Sequence, residues 1–307
     1  MNARVDIRER LGDQEVADVA ALTAAAAEAD SISPLNEQVM LHLRHGGGDG
    51  TKALLLYQDD TLAGFAHVGA DGEEGPSGEL VVHPGHRGQG LGRLLAEAAL
   101  AESGGRLRLW AHGDRPEAAR LGAALGFTRA RSLWQMRRPT ADPLPPAKLP
   151  DGVRLRAFEP GADEEAWLAV NARAFAHHPE QGSWTMDDLT LREREPWFDP
   201  SGFFLAVRET AGEGARLAGF HWTKVHADGG PELSHAPIGE VYVVGVDPSE
   251  QGTGLGRALT LAGLDHLRSA GLDQVMLYVD EDNPSAIHLY QSFGFTRWKV
   301  DVMYRHG

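Results

Sequence analysis

Apolar positions along the chain fall into two nearly identical series. Each opens on a short alternating stretch, "VDIRER" from Val5 and "VRLRAF" from Val153, with the period of a half-buried strand. Helical stretches follow, such as "QEVADVAALTAAAAEAD" in the first series. Next come apolar runs joined by polar turns, "ALLLYQDDTLAGFAHV" and "GFFLAVRETAGEGARLAGFHWTKV", which predict hairpins. Leu-Ala-Gly-Phe recurs within them at 62–65 and 217–220. A strand then passes through a proline and a glycine-rich turn into a helix, "VHPGHRGQGLGRLL" at 82–95 and "VDPSEQGTGLGRAL" at 246–259. A further strand, "RLRLWAH" or "QVMLYVD", and a helix ending in "LGFTRA" or "FGFTRW" complete each series.

Between the two lies "RRPTADPLPPAKLP", Arg137 to Pro150, proline-rich and without apolar periodicity. The pattern predicts an α/β (α+β) protein of two tandem domains, each a mixed, mostly antiparallel sheet flanked by helices. The expected division is residues 1–138, a linker at 139–150, and residues 151–307. Pro84 and Pro248 are 164 residues apart and the two Gly-Phe-Thr-Arg segments 168. The second copy therefore carries four extra residues between these landmarks.

Composition narrows the chemistry. A net charge of −15 argues against general nucleic-acid binding, which needs a positive footprint. No apolar run approaches the ~20 residues that span a bilayer, and the N-terminal "MNARVDIRERLGDQE" has no secretory apolar core. A cytoplasmic protein is expected, without membrane or nucleic-acid partners, acting as a monomer. With no cysteine, a thiolate nucleophile and disulfides are excluded. The fourteen histidines have no convincing metal-ligand spacing, so no metal is expected.

The glycine-rich turns carry the strongest chemical signal. Closely spaced glycines let backbone approach a ligand, and the N–H groups of the turn and of the following helix converge on one point suited to a pyrophosphate. The turn lacks the Gly-Lys-Ser/Thr ending of a P-loop and lies mid-domain, unlike a dinucleotide-binding first strand. A glycine pattern alone is weak. The ordered set of strand, Asp/His-Pro, Gln/Arg-x-x-Gly-x-Gly, helix, strand, Asn-Pro-x-Ala and Gly-Phe is more specific.

In that order the chain resembles the GCN5-related N-acetyltransferases, over nearly its whole length. The resemblance implies two splayed central strands with the pantetheine arm of acetyl-CoA lying between them. It further implies cofactor contacts in the second half at Val244, Gly245 and Val246, at Gly252, Thr253, Gly254, Leu255, Gly256 and Arg257, and at Asn283, Pro284, Ser285, Ala286, Ile287 and His288. In the first half the matching positions are Leu80, Val81 and Val82, then Gly88, Gln89, Gly90, Leu91, Gly92 and Arg93. For Arg93 and Arg257 a plain surface arginine is the competing explanation.

Acetyl transfer to an amine needs a neutral amine, a donor for the oxyanion and an acid for the departing thiolate. Glu240, among apolar residues in "IGEVYVVGV", is a candidate base, with an outward-facing strand glutamate as the even alternative. Tyr290 stands where a tyrosine of this family protonates the thiolate, and the resemblance implies that role; packing under the sheet is the alternative. The Val246 N–H would polarise the acetyl carbonyl. In the first half, alignment on Gly-Phe-Thr-Arg sets Gly122 opposite Tyr290 and Arg115 opposite Asn283. Alignment on the proline sets Pro76 opposite Glu240. The second copy is thus expected to be catalytic, and the first at most to hold a second acetyl-CoA as a structural ligand.

Segments beyond the general pattern, from Ser33, Phe175 and Leu217, resemble a tandem branch of the family that acetylates a cysteinyl–glucosamine–inositol conjugate at its cysteinyl amine. That resemblance implies a small-molecule thiol amine substrate, held by Glu37, Glu180, Lys224 and Glu240, with Tyr278 a further candidate. Carboxylates and a lysine suit a sugar–inositol head and attract an ammonium. With no cysteine to carry the acetyl group, direct attack in a ternary complex is expected. Acetylation of another small-molecule or peptide amine, and non-catalytic acetyl-CoA binding with a regulatory role, remain open at this point.

Overall fold

Alternation along the first hairpin decides which layer each strand residue enters. In the computed structural model, which describes residues 2–46, 50–70, 75–210, 214–227 and 236–307, strands β1 (Ala3–Arg8), β2 (Lys52–Gln58), β3 (Thr61–Val68) and β4 (Ser77–Val82) form an antiparallel meander. Leu54 and Leu56 pack on the face covered by helix α3 (Leu91–Glu102), with Leu91, Leu95 and Ala99. Leu55, Phe65 and Val81 meet the opposite layer, α1 (Asp13–Asp30) and α2 (Glu37–His45), through Val19, Leu22, Ala26 and Val39. The three leucines are fully buried, each worth roughly 1.5–3 kcal/mol. Strand β5 (Leu107–Ala111), helix α4 (Pro116–Ala124) and strand β6 (Thr128–Pro139) follow. Arg137 and Arg138, at the head of the proline-rich stretch, are buried strand residues of β6.

The second half repeats this order. It runs through β7 (Val153–Ala157), α5 (Glu164–Ala174), α6 (Pro179–Gly182) and α7 (Met186–Glu193). Strands β8 (Phe203–Thr210), β9 (Gly214–His226) and β10 (Ile238–Val246) come next, then α8 (Leu255–Ser269), β11 (Gln274–Asp280), α9 (Pro284–Ser292) and β12 (Thr296–His306). An aromatic cluster of Trp167, Phe203, Phe220 and Trp222 fills the α5 and α7 side, where the Phe203 and Trp222 rings stack at 4.4 Å.

Among the described residues, all twelve strands join in one sheet, ordered β1-β2-β3-β4-β5-β12-β6-β11-β10-β9-β8-β7. The last strand of each half lies in the other half's territory: β12 pairs with β5 and β6 pairs with β11, both antiparallel. Exchanging each element for its counterpart six strands later reproduces the same order reversed, so a pseudo-twofold axis passes between β6 and β12. Among the described residues, no helix is long and apolar enough to cross a membrane.

Candidate active site

Among the described residues, two parallel pairings interrupt the antiparallel sheet, and both are short. In the second half β10 and β11 pair only at Gly239–Val275, Glu240–Met276 and Val241–Leu277, although β10 continues to Val246 and β11 to Asp280. A fork opens beyond Val241. The Asp247 N–H donates to the Ala218 carbonyl at 2.9 Å. Alternation along an antiparallel ladder then turns the backbone of Gly245 to β9 and leaves that of Val244 and Val246 facing the fork. The first half is built alike: β4 and β5 pair over Ser77–Arg108 to Glu79–Trp110, and the His83 N–H donates to the Ala63 carbonyl at 2.9 Å. Leu80 and Val82 face that fork, Val81 its neighbour β3. There, however, the Arg87 Nε donates to the Val82 carbonyl at 3.1 Å while the Arg87 guanidinium pairs with Asp30.

Both glycine turns close the wide end of a fork. Gly252 and Gly254 take φ of +79° and +86°, Gly88 and Gly90 +75° and +83°, a region other residues reach only with strain. A Cβ at any of the four would meet nothing within 4 Å, so each turn faces open space. Helices α8 and α3 start there, at the buried Leu255 and Leu91, and the N–H groups of a helix's first turn have no carbonyl partner one turn earlier within the helix. The donor set and the room fit a pyrophosphate. The side chains nearby are otherwise engaged. Thr253 Oγ1 donates to the Glu250 carbonyl at 2.7 Å, and Gln89 accepts from Gln58 at 3.1 Å. Arg257 lies over the Phe293 ring at 4.6 Å and donates to Ser292 Oγ, and Arg93 reaches Glu97 at 3.5 Å. Asn283 caps α9, accepting the Ala286 N–H at 3.1 Å. Pro284, Ser285 and His288 are exposed on its first turns, and Ile287 points into the core.

Beside the second fork, polar side chains gather from both halves. Glu240 stands opposite Lys224 in the β9–β10 register, and its Oε2 meets His226 Nε2 at 2.6 Å. Lys224 donates to Glu37, the first residue of α2, and its Nζ lies 4.2 Å from the Trp197 ring centre. The other oxygen of Glu37 accepts from the Tyr242 hydroxyl at 2.5 Å. Arg192 donates its Nε to the same hydroxyl at 2.7 Å and a second nitrogen to Gln38 at 2.6 Å. Burial alone would raise the Glu37 carboxyl; the charges of Lys224 and Arg192 and the two hydrogen bonds outweigh it and hold the group below its usual range. Burial, with Glu37 beside it, pushes the Tyr242 phenol well above its ordinary pKa, so it acts as a donor.

Tyr278, on β11, bonds Gln135 at 3.2 Å; burial raises its phenol well above the usual value, with Asp301 and Glu240 adding to the effect. Tyr290, on α9, lies in an apolar cluster with Val241, Leu277, Phe293 and Phe295, and burial raises its pKa to about 12. Glu180 falls in α6, and its side chain lies outside the described residues.

Tyr242 owes its position to a β-bulge. The β9–β10 register shifts between Val241 and Val243, leaving Tyr242 as the extra residue. The β3–β4 ladder has no such shift. Matching the ladders through Gly64 and Gly219 therefore corrects the alignment on the proline: Ser77, one residue beyond Pro76, is the counterpart of Glu240, and Glu79 that of Val243. Gly122 stands at the Tyr290 position, where a Cβ would meet the Tyr304 ring at 3.4 Å. Neither Glu240 nor Tyr290 has a chemical equivalent in the first half.

Tyr242 and Arg192 belong to none of the motifs that mark the other site residues in the sequence. Tyr242 is two residues from Glu240 in "GEVYVV", a spacing that shares a strand face; Arg192 carries no comparable signal in its helix.

Comparison with known proteins agrees with this architecture. The profile of the Acetyltransferase (GNAT) family matches residues 165–295, and that of an Acetyltransferase (GNAT) domain matches residues 49–129. Mycothiol acetyltransferase of Thermobispora bispora is 67% identical over 305 residues, covering 99% of this chain and 100% of that protein. Mycothiol acetyltransferase of Streptosporangium roseum is 60% identical, again over 99% of this chain and 100% of that protein. Among solved structures, a tandem GNAT protein from the clavulanic acid biosynthesis pathway superposes with a TM-score of 0.70 at 22% identity, covering 98% of each chain, a likeness of fold. With two forks of one design in a single sheet and such identity along its full length, the chain belongs to the mycothiol acetyltransferases, a tandem-domain group of GCN5-related N-acetyltransferases.

Proposed function

We propose that the chain transfers the acetyl group of acetyl-CoA to the cysteinyl amine of cysteinyl–glucosaminyl–inositol, giving mycothiol. The observation that carries this reading is the convergence of Glu37, Lys224, Tyr242 and Glu240 beside the fork-facing backbone of Val244 and Val246. Lys224 and Glu37 offer a donor and an acceptor to sugar and inositol hydroxyls; Glu180 and Tyr278 complete the proposed substrate set.

Acetyl-CoA supplies the acetyl group as a thioester. The Val244 and Val246 backbone, the turn from Gly252 to Arg257 and the start of α9 from Asn283 to His288 hold it. Glu240 takes a proton from the cysteinyl ammonium, directly or through water; an α-amino group titrates near pH ~8, so modest assistance suffices. The amine lone pair forms the new C–N bond, and the Val246 N–H stabilises the charge developing on the carbonyl oxygen. As the C–S bond breaks, Tyr290 donates its phenolic proton to the sulfur, and the surplus proton of the newly acylated nitrogen leaves to solvent, from which the phenol is restored. Its burial raises its pKa to about 12, so the phenol carries its proton at working pH, and transfer is timed to the basic thiolate that forms as the C–S bond breaks.

The first half, residues 1–138, holds a second acetyl-CoA as a structural ligand through Leu80 to Val82 and Gly88 to Arg93, with Arg87 giving up the Val82 carbonyl. The chain works in the cytoplasm as a monomer, with residues 151–307 as the catalytic unit. Mass spectrometry of the purified protein with acetyl-CoA and the cysteinyl conjugate tests the function. A product heavier by one acetyl group at nitrogen is expected. No product, with acetyl-CoA still binding, would overturn the assignment of the amine.

A further inference from the structure

Beside the fork of the first half, β4, the loop after β5 and β12 bring charged side chains together in an arrangement that the second half does not repeat. Glu79 Oε1 lies 3.0 Å from His112 Nε2, and His112 Nδ1 lies 3.0 Å from Asp301 Oδ2, brought in by β12. Asp301 Oδ1 also accepts the Gly113 N–H at 2.9 Å. Both carboxylates are buried. Burial alone would discharge His112; the Glu79 and Asp301 side chains that bracket it overcome this and raise its pKa to about 10, so the ring is held as an imidazolium. At the matching positions of the second half stand Val243, Asp280 and Leu133. Asp280 there bonds Arg131 and His178, a different arrangement.

The free oxygen of Glu79 does not face the fork. It accepts the backbone N–H of Asn36 at 2.7 Å, and Asn36 in turn caps α2 through its side chain, which accepts the Val39 N–H at 2.9 Å. The residue after this cap is Glu37, the first-half carboxylate that meets Lys224 and Tyr242. An unbroken series of contacts thus runs from Asp301 through His112 and Glu79 to the N-terminal turn of α2 and into the second half's site.

We propose that Glu79, His112 and Asp301 are positioning residues for amine-substrate binding in the other half, fixing the start of α2 so that the Glu37 carboxylate is held against Lys224 and Tyr242. A fork with no acid or base at the Glu240 and Tyr290 positions thereby serves the reaction as an anchor. The proposal rests on the assignment of Glu37 to the amine-substrate site.

A double-mutant cycle on the full chain separates this role from a merely structural one. Glu79→Gln is expected to raise KM for the cysteinyl conjugate by about tenfold, the loss of one good charge-assisted contact. Both kcat and the acetyl-CoA KM should stay within about twofold, as expected when uniform binding is removed. In a Glu37→Gln background the same change should add little, because the group it positions is gone. An equal rise in that background, or a change confined to kcat or the acetyl-CoA KM, would overturn the proposal while leaving the Glu37 assignment intact. An unchanged amine KM in Glu37→Gln alone would remove the assignment and the proposal together. Should Glu79→Gln not fold, Asp301→Asn carries the same cycle, since it withdraws one partner of His112 and leaves the Glu79–Asn36 bond in place.

Discussion

Replacing Tyr242 by phenylalanine removes one oxygen from the point where the two halves meet. That oxygen donates to Glu37 at 2.5 Å and accepts from Arg192 at 2.7 Å, so it is the hinge of a charge-assisted pair. The ring itself keeps its packing, with the Trp197 and Trp222 centroids each 5.2 Å away. Arg192 retains the Asp188 carbonyl at 2.8 Å and Gln38 at 2.6 Å, and Glu37 retains Lys224. A hydrogen bond to a charged group contributes roughly 1.5–3 kcal/mol, and partial compensation brings the expected cost to about 1–2 kcal/mol. The melting temperature should fall by about 1.5–3 °C. The loosened carboxylate should raise the amine KM by about tenfold, with the acetyl-CoA KM unchanged. Thermal unfolding and steady-state kinetics with each substrate varied in turn read both. Unchanged stability and amine KM would refute the account of Tyr242 as the residue that holds Glu37 in place.

The remaining expectations use the same assays. Tyr290→Phe should lower kcat by about 10²–10³ while both KM values hold, the loss expected of a general acid; because the phenol is pushed up to about 12, the wild-type rate should show no alkaline loss from this group below about pH 11, and one near pH 9 would count against its role. Gly254→Ala places a methyl in the open space of the turn at φ +86°, and should raise the acetyl-CoA KM by about tenfold through strain and obstruction, sparing the amine KM. Gly263→Ala should destabilise the fold by about 3 kcal/mol, because its Cβ would lie 2.0 Å from Cε1 of the buried His221, which is held by the Leu259 carbonyl at 2.7 Å; wild-type stability would mean that the imidazole moves freely.

Much of the fold and part of the site can be read from the residues themselves. The doubled glycine turn, the repeated Leu-Ala-Gly-Phe and the two Gly-Phe-Thr-Arg segments mark equivalent backbone, and the helices and strands lie where the apolar periods set them. The pairing of β12 with β5 was not legible, because the pattern of a strand records its two faces and says nothing of which edge it joins. The bulge at Tyr242 shifts register by one residue, enough to hide the match of Ser77 to Glu240 and of Glu79 to Val243. Arg192 and His112 acquire their partners from segments 154 and 189 residues away, beyond the reach of local spacing.

The exchange of β6 and β12 also sets the order in which the molecule can be completed. The open edge of β5 waits for the last strand of the chain. Translation of the 184 residues between β5 and β12 takes about 9–37 s at roughly 5–20 residues per second. During that interval β5 presents unpaired backbone, and β6 has no neighbour until β11 emerges, both being edges prone to wrong pairing. A nick in the proline-rich stretch of the finished protein would leave its two pieces clasped, because each holds a strand of the other's sheet. The same arrangement is what two copies of a half-length chain would form by trading C-terminal strands, so within one chain the two halves are joined as a strand-exchanged dimer would be.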